Sequence, residues 1–156
     1  MKKVYAEQID SFLAGKKFAV AGVSKDPKKF GHQVFAELRQ KGYTIIPVNP
    51  TATEIAGEPC YKSVDELPAG IESLLILTPK TQTDIILRQA LRKGIKNIWV
   101  QQMSETPETL KIAEELGKDI IFGKCIFMFA EPVGSIHKFH RVIMKLFGAL
   151  PKHASN

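Results

Sequence analysis

The sequence predicts an α/β domain in which a parallel sheet lies between two layers of helices. Short apolar runs typical of strands alternate with helical segments four times along the chain, the pattern of a doubly wound sheet with right-handed crossovers. Residues 73–77 are almost continuously apolar, as expected of a strand that is buried on both faces. The first strand also runs into a helix through small residues. The predicted fold is therefore Rossmann-like, with three layers and extra helical segments at both termini.

Helical spacing and stop signals define the first elements. Apolar residues recur at three- and four-residue intervals near the N-terminus and again after residue 31, and Gly15 and Gly42 end the two segments. Short apolar runs follow each of them, and Asn49-Pro50 stops the second run. The prediction in chain order is helix 4–13, strand 17–23, helix 31–41 and strand 44–48.

The alternation resumes after a turn-rich stretch at residues 51–59. Ser63 is a candidate N-cap for a short helix, and Thr106 followed by Pro107 has the residue types that begin a longer one. The prediction in chain order is short helix 64–67, strand 73–77, helix 81–92, strand 97–100, helix 107–116, strand 119–122 and helix 136–147. We expect one domain over residues 1–156, with its core at about 17–126 and a C-terminal helical extension at about 135–148.

Composition and charge limit the kind of partner. The chain has 156 residues, 44% hydrophobic and 24% charged, which suffices for an ordinary globular core. The formal net charge is +6, but the basic residues are scattered and not interleaved with aromatics, which argues against nucleic acid. No signal core is present, and no apolar run reaches the roughly 18 residues that span a bilayer. With Cys60 and Cys125 far apart, we expect a cytoplasmic protein with reduced thiols and no membrane contact.

The most informative segment leads from the first predicted strand into the first long helix. The strand ends in Gly-Val-Ser at residues 22–24, and a basic loop follows before Gly31. Backbone N–H groups of such a turn approach an anion closely, and the dipole of the next helix favours negative charge there. The loop carries three basic residues, Lys25, Lys28 and Lys29, against one acidic residue, Asp26. This positive charge is more than a plain dinucleotide requires.

Two features distinguish this segment from an NAD site. Ser24 stands where the second glycine of G-x-G-x-x-G would be, and Gly31 is too far from Gly22 for that motif. The second strand ends on Asn49, whereas an NAD site carries an acid there for the ribose hydroxyls. The first βαβ unit therefore indicates a nucleotide other than NAD.

The ends of the other strands extend this candidate site. Ligands of open parallel sheets bind beyond the carboxyl ends of the strands, and here those ends carry small, polar or turn-forming residues. The residues at the predicted strand ends are Gly22, Val23, Ser24, Asn49, Pro50, Thr78, Pro79, Thr81, Gln101, Gln102, Gly123, Lys124 and Cys125.

Several short motifs follow one another in a characteristic order and spacing. They are Ala21-Gly22-Val23-Ser24, Gly31, Gly42-Tyr43, Pro47-Val48-Asn49-Pro50, Thr78-Pro79, Trp99-Val100-Gln101 and Lys124-Cys125. Together they resemble the small CoA-binding proteins, which are single-domain Rossmann proteins similar to the CoA-binding domain of the succinyl-CoA synthetase α subunit. The resemblance covers residues 17–126. Met103 departs from the family pattern, which often has glycine at that position.

The resemblance implies a site for CoA or an acyl-CoA. Gly22, Val23 and Ser24 would approach the phosphates, with the Ser24 hydroxyl as a donor. Lys28 and Lys29 would neutralise phosphate charge near the adenosine end.

The same resemblance implies the remaining parts of the site. Asn49 and Pro50 would line the nucleotide pocket, and Gln101 would lie close to the pantetheine arm. The residues implied to border the crevice near the pyrophosphate or pantetheine are Thr78, Pro79 and Thr81.

Catalytic groups are less well supported by the sequence. His137 and His140 are three residues apart on a predicted helix but lack the further ligands of a metal site. Cys125 follows a lysine but has no evident base or orienting partner. His32 follows Gly31 in the first turn of the predicted phosphate-site helix, where two interpretations stay open: it donates to a phosphate, or it is simply exposed. We therefore expect a binding protein rather than an enzyme.

Two other functions stay open at this point. One is an NAD(P)-linked oxidoreductase or redox sensor, although Thr51-Ala52-Thr53 follow the second strand where an NADP-selecting basic residue normally lies. The other is a CoA-binding subunit of a larger acyl-CoA ligase. The sequence also leaves open whether the chain forms a homo-oligomer or works with a partner enzyme.

Overall fold

Apolar strands and amphipathic helices alternate to give a layered α/β architecture. The computed structural model describes residues 6–116 and 120–132. The helices are α1 (Ala6–Ala14), α2 (Phe30–Gln40), α3 (Lys80–Lys93) and α4 (Pro107–Glu115), with 3-10 turns at Val64–Glu66 and Ile126–Met128. The strands are β1 (Lys17–Ala21), β2 (Thr44–Val48), β3 (Glu54–Ile55), β4 (Glu58–Pro59), β5 (Ser73–Ile76), β6 (Asn97–Gln101) and β7 (Ile120–Lys124).

The main sheet is parallel and has the strand order β2-β1-β5-β6-β7. The chain places β2 on one side of β1 and then crosses to place β5 on the other, so the direction of winding reverses between β1 and β5. The remaining strands, β3 and β4, form a small antiparallel hairpin. Connections that diverge at such a switch point leave a crevice beyond the carboxyl ends of the strands. The topology therefore places a ligand crevice over the ends of β1 and β5.

Side chains that alternate along the strands fill two cores, one on each face of the sheet. Val20, Leu75 and Trp99 are register partners, and they pack with residues of α1 and α2. Ala19 and Leu74 are also register partners, and they pack with residues of α3 and α4. Successive residues of a strand point to opposite faces, so a nearly continuous apolar strand contributes to both cores. The predicted three-layer, doubly wound fold is confirmed.

The bounds of the elements differ from the prediction in two informative places. Strand β1 ends at Ala21 rather than at residue 23, because Gly22 turns the chain with a φ of +97°. Residues 51–59, expected to form turns, contain the β3–β4 hairpin, whose two-residue strands are too short to show a period in the sequence. The predicted helix at 136–147 and extension at 135–148, with His137 and His140, lie outside the described residues.

Two helix starts that the sequence predicted differ in their capping. Thr106 Oγ1 accepts a hydrogen bond from the Thr109 N–H at 3.0 Å, and Thr109 Oγ1 accepts one from the Thr106 N–H at 3.2 Å. This reciprocal capping box, with Pro107 at the first position, confirms the predicted start of α4. Ser63 occupies the N-cap position of the 3-10 turn, but its side chain makes no capping hydrogen bond.

Candidate functional site

Position 22, the first of the turn that follows β1, accommodates only glycine. At Gly22 φ is +97°, and a Cβ built there would lie 2.9 Å from the carbonyl carbon of Leu77 and 3.0 Å from the nitrogen of Thr78. The Leu77 N–H donates to the Ala21 carbonyl oxygen at 2.8 Å, which fixes the two segments side by side. The missing side chain therefore lets the backbone after β1 and the backbone after β5 converge at the switch point.

The first turn of α2 packs directly onto this glycine turn. A Cβ at Gly31 would overlap the carbonyl oxygen of Gly22 and would lie 3.3 Å from Val23 Cα. Lys29 occupies the N-cap position, and its side chain makes no capping hydrogen bond with the first N–H groups of the helix. Those groups and the positive end of the helix dipole suit an anion. The geometry is compatible with an anion, and the phosphate site at this segment stays a prediction.

Hydrogen bonds give the basic loop between β1 and α2 a defined shape. The Asp26 N–H donates to Ser24 Oγ at 3.1 Å, and Asp26 Oδ1 accepts from the Lys28 N–H at 2.9 Å. His32 Nδ1 donates to the Ser24 carbonyl oxygen at 2.8 Å, so this histidine braces the loop. Because Ser24 Oγ acts here as an acceptor, its own proton can be donated to a ligand.

Asn49 ties the ends of β1 and β2 together. Its Nδ2 donates to the Val23 carbonyl oxygen at 2.7 Å, and its Oδ1 accepts from the Thr51 N–H at 2.9 Å and the Ala52 N–H at 3.0 Å. Thr51 Oγ1 donates to the same oxygen at 3.0 Å. An aspartate would set a carboxylate oxygen against the Val23 carbonyl. The structure therefore gives a reason for asparagine where an NAD site carries an acid.

A crevice of about 590 Å³ lies at the switch point. It brings together residues from the ends of β1, β2 and β5 with the start of α2. The predicted site residues that line it are Gly22, Val23, Ser24, Lys29, Gly31, Asn49, Pro50, Thr78 and Pro79.

The other predicted site residues lie elsewhere, and the strand-end residues Gln102, Gly123, Lys124 and Cys125 do not line the crevice either. Lys28 and Thr81 are exposed and do not line the crevice. Gln101 is only 4% exposed, and its Oε1 accepts a hydrogen bond from the Ile126 N–H at 3.1 Å. Gln101 thus fixes the segment that follows β7, and its carboxamide oxygen is already engaged within the fold.

The crevice has one wall that the sequence interpretation did not include. Helix α3 contributes residues spaced by three or four positions, which is the helical period, so they share one face. Ile85 on this face is 60% exposed, and Gln89 Oε1 has no hydrogen-bond partner among the described residues. The segment after β4 completes the wall. The additional lining residues are Lys62, Ser63, Gln82, Ile85, Ile86 and Gln89.

The charge of the crevice is positive. Lys29 and Lys62 line it, and the described residues that line it include no aspartate or glutamate. Apolar side chains of α3 and two prolines make up much of the rest. A positive and partly apolar crevice suits a ligand that joins phosphates to an aromatic base.

The ionisable groups and helices of the described residues bear on three other kinds of site: nucleophilic, metal-binding and membrane-spanning. Burial raises the pKa of the Cys60 thiol, although the Asn49 backbone and Lys25 act in the opposite direction, and a raised pKa makes a thiol a poor nucleophile. Burial also lowers the pKa of Lys124. Within residues 6–116 and 120–132, no group of three His, Cys, Asp or Glu side chains could hold a metal ion. No helix of that part is long and apolar enough to cross a bilayer.

The parallel sheet, the glycine turn and the crevice at the switch point define a Rossmann-like nucleotide-binding domain. The model of one family, described as a CoA binding domain, matches residues 16–131. The chain belongs to this family, and the resemblance that the sequence suggested is confirmed.

Named relatives include both large and small proteins. The α subunit of acetate–CoA ligase (ADP-forming) II from Pyrococcus furiosus is 32% identical in an alignment 129 residues long, and the match covers 76% of this chain and 28% of that subunit. YneT of Bacillus subtilis, an uncharacterised protein, is 30% identical over 121 residues, 78% of this chain and 90% of its own. The chain therefore spans only part of the ligase subunit but most of YneT.

Solved structures that are similar to this chain include two that it covers over at least 90% of their length. A hypothetical protein from Pyrococcus horikoshii is similar with a TM-score of 0.73 at 33% sequence identity, covering 81% of this chain and 90% of that one. A conserved hypothetical protein from Pyrococcus furiosus has a TM-score of 0.68 at 35% identity and is covered over 95% of its length.

Proposed function

We propose that this chain binds CoA or an acyl-CoA in the crevice at the switch point. The observation that carries the proposal is the contact between the Gly22 turn and the first turn of α2. The N–H groups of both turns and the positive end of the α2 dipole lie at the positively charged crevice, where they suit a phosphate. The pyrophosphate lies over residues 22–24, and the Ser24 hydroxyl and the N-terminus of α2 donate to it. The adenosine extends toward the end of β2 and the face of α3.

Two features of the crevice fit this ligand better than NAD. Asn49 holds β1 and β2 together and is not an acid, so the end of β2 offers no carboxylate for the hydroxyls of a ribose. Lys29 and Lys62 supply positive charge that suits a nucleotide carrying more phosphate than a plain dinucleotide.

In this proposal the chain holds CoA, and chemistry on the acyl group belongs to a partner enzyme. Support comes from the acetate–CoA ligase α subunit, because the region similar to this chain makes up only 28% of that subunit. The smaller YneT, covered over 90% of its length, indicates that the domain also occurs without most of that subunit.

The test is a thermal-shift panel with CoA, acetyl-CoA, NAD and NADP, followed by calorimetry. A ligand at 100 times its Kd adds about 2.7 kcal/mol to the free energy of unfolding, which is easily measured. We expect CoA and acetyl-CoA to raise the Tm and NAD to leave it unchanged. Stabilisation by NAD or NADP alone would reject the proposal.

A variant pair then locates the phosphates. Ser24→Asp sets a negative charge beside them and should weaken CoA binding by more than tenfold, about 1.4 kcal/mol. Ser24→Ala, the matched control, removes one hydroxyl and should cost less. Equal affinity of Ser24→Asp and the parent for CoA, with the fold intact, would show that the phosphates lie elsewhere.

A further inference from the structure

Lys62 and Ser63 form a corner of the crevice that is distant from β2 in sequence but adjacent to it in space. The Tyr61 N–H donates to the Pro47 carbonyl oxygen at 3.0 Å, and the Asn49 N–H donates to the Tyr61 carbonyl oxygen at 2.9 Å. Val48 and Tyr61 thereby form a parallel bridge. This bridge places Lys62 and Ser63 immediately beyond the carboxyl end of β2, where both line the crevice.

The backbone of this corner is held from both sides. The Lys62 N–H donates to Glu66 Oε2 at 3.4 Å. Asp65 in the same 3-10 turn accepts from Arg92 at 2.7 Å through its carboxylate and from Lys93 Nζ at 2.9 Å through its carbonyl oxygen. These contacts fix the turn to the end of α3, the helix whose earlier residues form the same wall of the crevice.

The side chains of Lys62 and Ser63 keep hydrogen-bond donors that can serve a ligand. Ser63 makes no capping hydrogen bond, and no ion pair engages the Lys62 ammonium among the described residues. The ammonium has three N–H donors and the hydroxyl has one. Their position beside the end of β2 is where Rossmann-like domains recognise the ribose of adenosine, with an acid for free hydroxyls or a cation for a ribose phosphate.

We propose that Lys62 and Ser63 bind a phosphate monoester on the ribose of the nucleotide. Such a group carries a charge of about −1.5 to −2 at pH 7, which the single ammonium and hydroxyl can partly neutralise and hydrogen-bond. The inference rests on the proposed function. It assigns selectivity for the ribose phosphate of CoA to Lys62, whereas the sequence suggested Lys28 and Lys29; of those two, Lys28 lies outside the crevice.

The experiment compares CoA with dephospho-CoA, which lacks only that phosphate. Isothermal titration calorimetry gives the Kd of both ligands for the parent, for Lys62→Gln and for Lys28→Gln, the matched control. We expect the parent to prefer CoA, and Lys62→Gln to reduce this preference about tenfold, the size of a charge-assisted hydrogen bond. The Kd for dephospho-CoA should change less than twofold. Lys28→Gln should keep the parent's preference.

The outcomes separate this inference from the proposed function. If CoA binds but Lys62→Gln keeps the parent's preference over dephospho-CoA, the inference is wrong and the proposed function stands. If Lys28→Gln reduces the preference and Lys62→Gln does not, the basic loop binds the ribose phosphate and the inference is likewise overturned. If neither CoA nor dephospho-CoA binds the folded parent protein, the proposed function itself fails.

Discussion

Replacing Gly31 by alanine tests the contact on which the phosphate site depends. Helix propensity by itself favours the change, since alanine is better than glycine in a helix interior by about 1 kcal/mol. The structure predicts the opposite sign. A Cβ at residue 31 would overlap the Gly22 carbonyl oxygen and lie 3.1 Å from its carbonyl carbon, so the neighbour that has to move is backbone.

The expected cost follows from the packing around this contact. Gly22 is itself confined by the backbone of Leu77 and Thr78, so its carbonyl cannot retreat without disturbing the end of β5. Adding a methyl group to a well-packed position costs about 1–3 kcal/mol, and a neighbour that is backbone puts this site in the upper part of that range, about 2–3 kcal/mol, which exceeds the gain in propensity of about 1 kcal/mol. We expect Gly31→Ala to lower the free energy of unfolding by about 1–2 kcal/mol.

The same displacement should weaken ligand binding, because the N–H groups of the turn and of α2 shift relative to each other. We expect at least a tenfold rise in the Kd for CoA, about 1.4 kcal/mol. Urea denaturation measures the first effect and calorimetry the second. Gly15→Ala is the matched control: nothing lies within 4 Å of its Cβ, and we expect stability to rise by up to about 1 kcal/mol.

The reasoning would be refuted by a Gly31→Ala protein as stable as the parent that binds CoA with the parent's affinity. That result would mean that the first turn of α2 can move away from Gly22 at no cost, and that the phosphate site does not depend on their contact.

Two further predictions concern the backbone at other strand ends. Asn49→Asp should lower the free energy of unfolding by about 1–3 kcal/mol, because it sets a carboxylate oxygen against the Val23 carbonyl, 2.7 Å from the present Nδ2. In the control Asn97→Asp, the partner is the Ser73 hydroxyl, which can turn to donate, so urea denaturation should show a smaller loss. Met103→Gly should raise stability by up to about 1 kcal/mol, since Met103 is 73% exposed with a φ of +75°. A fall in the Tm of Met103→Gly would contradict this reading.

The sequence predicts those parts of the site that depend on residues close together in the chain. Gly22 and Ser24 follow an apolar strand and precede a helix, and the topology of parallel sheets brings such strand ends to one edge. The departure at Met103 was also visible in the sequence, and the structure places that residue in the left-handed region that favours glycine.

The parts that the sequence did not predict depend on contacts between distant segments. Lys62 reaches the crevice only through the bridge between Val48 and Tyr61, and nothing in the local sequence indicates that bridge. The face of α3 could be recognised from its helical period, but not its orientation toward the crevice. Gln101 has the right position at a strand end, yet the segment after β7 returns to bind its side chain through the Ile126 N–H.

The buried side chain of Trp99 is an intrinsic fluorescence probe of the fold. It is the one tryptophan of the chain, is 0% exposed, and donates from Nε1 to the Lys124 carbonyl oxygen at 3.0 Å. Its side chain lies in the core shared with α1 and α2 and is not among the residues that line the crevice. Its fluorescence should therefore change when the central strands separate, and a nucleotide in the crevice should not quench it by direct contact. One emission signal can thus follow unfolding in the presence and absence of ligand.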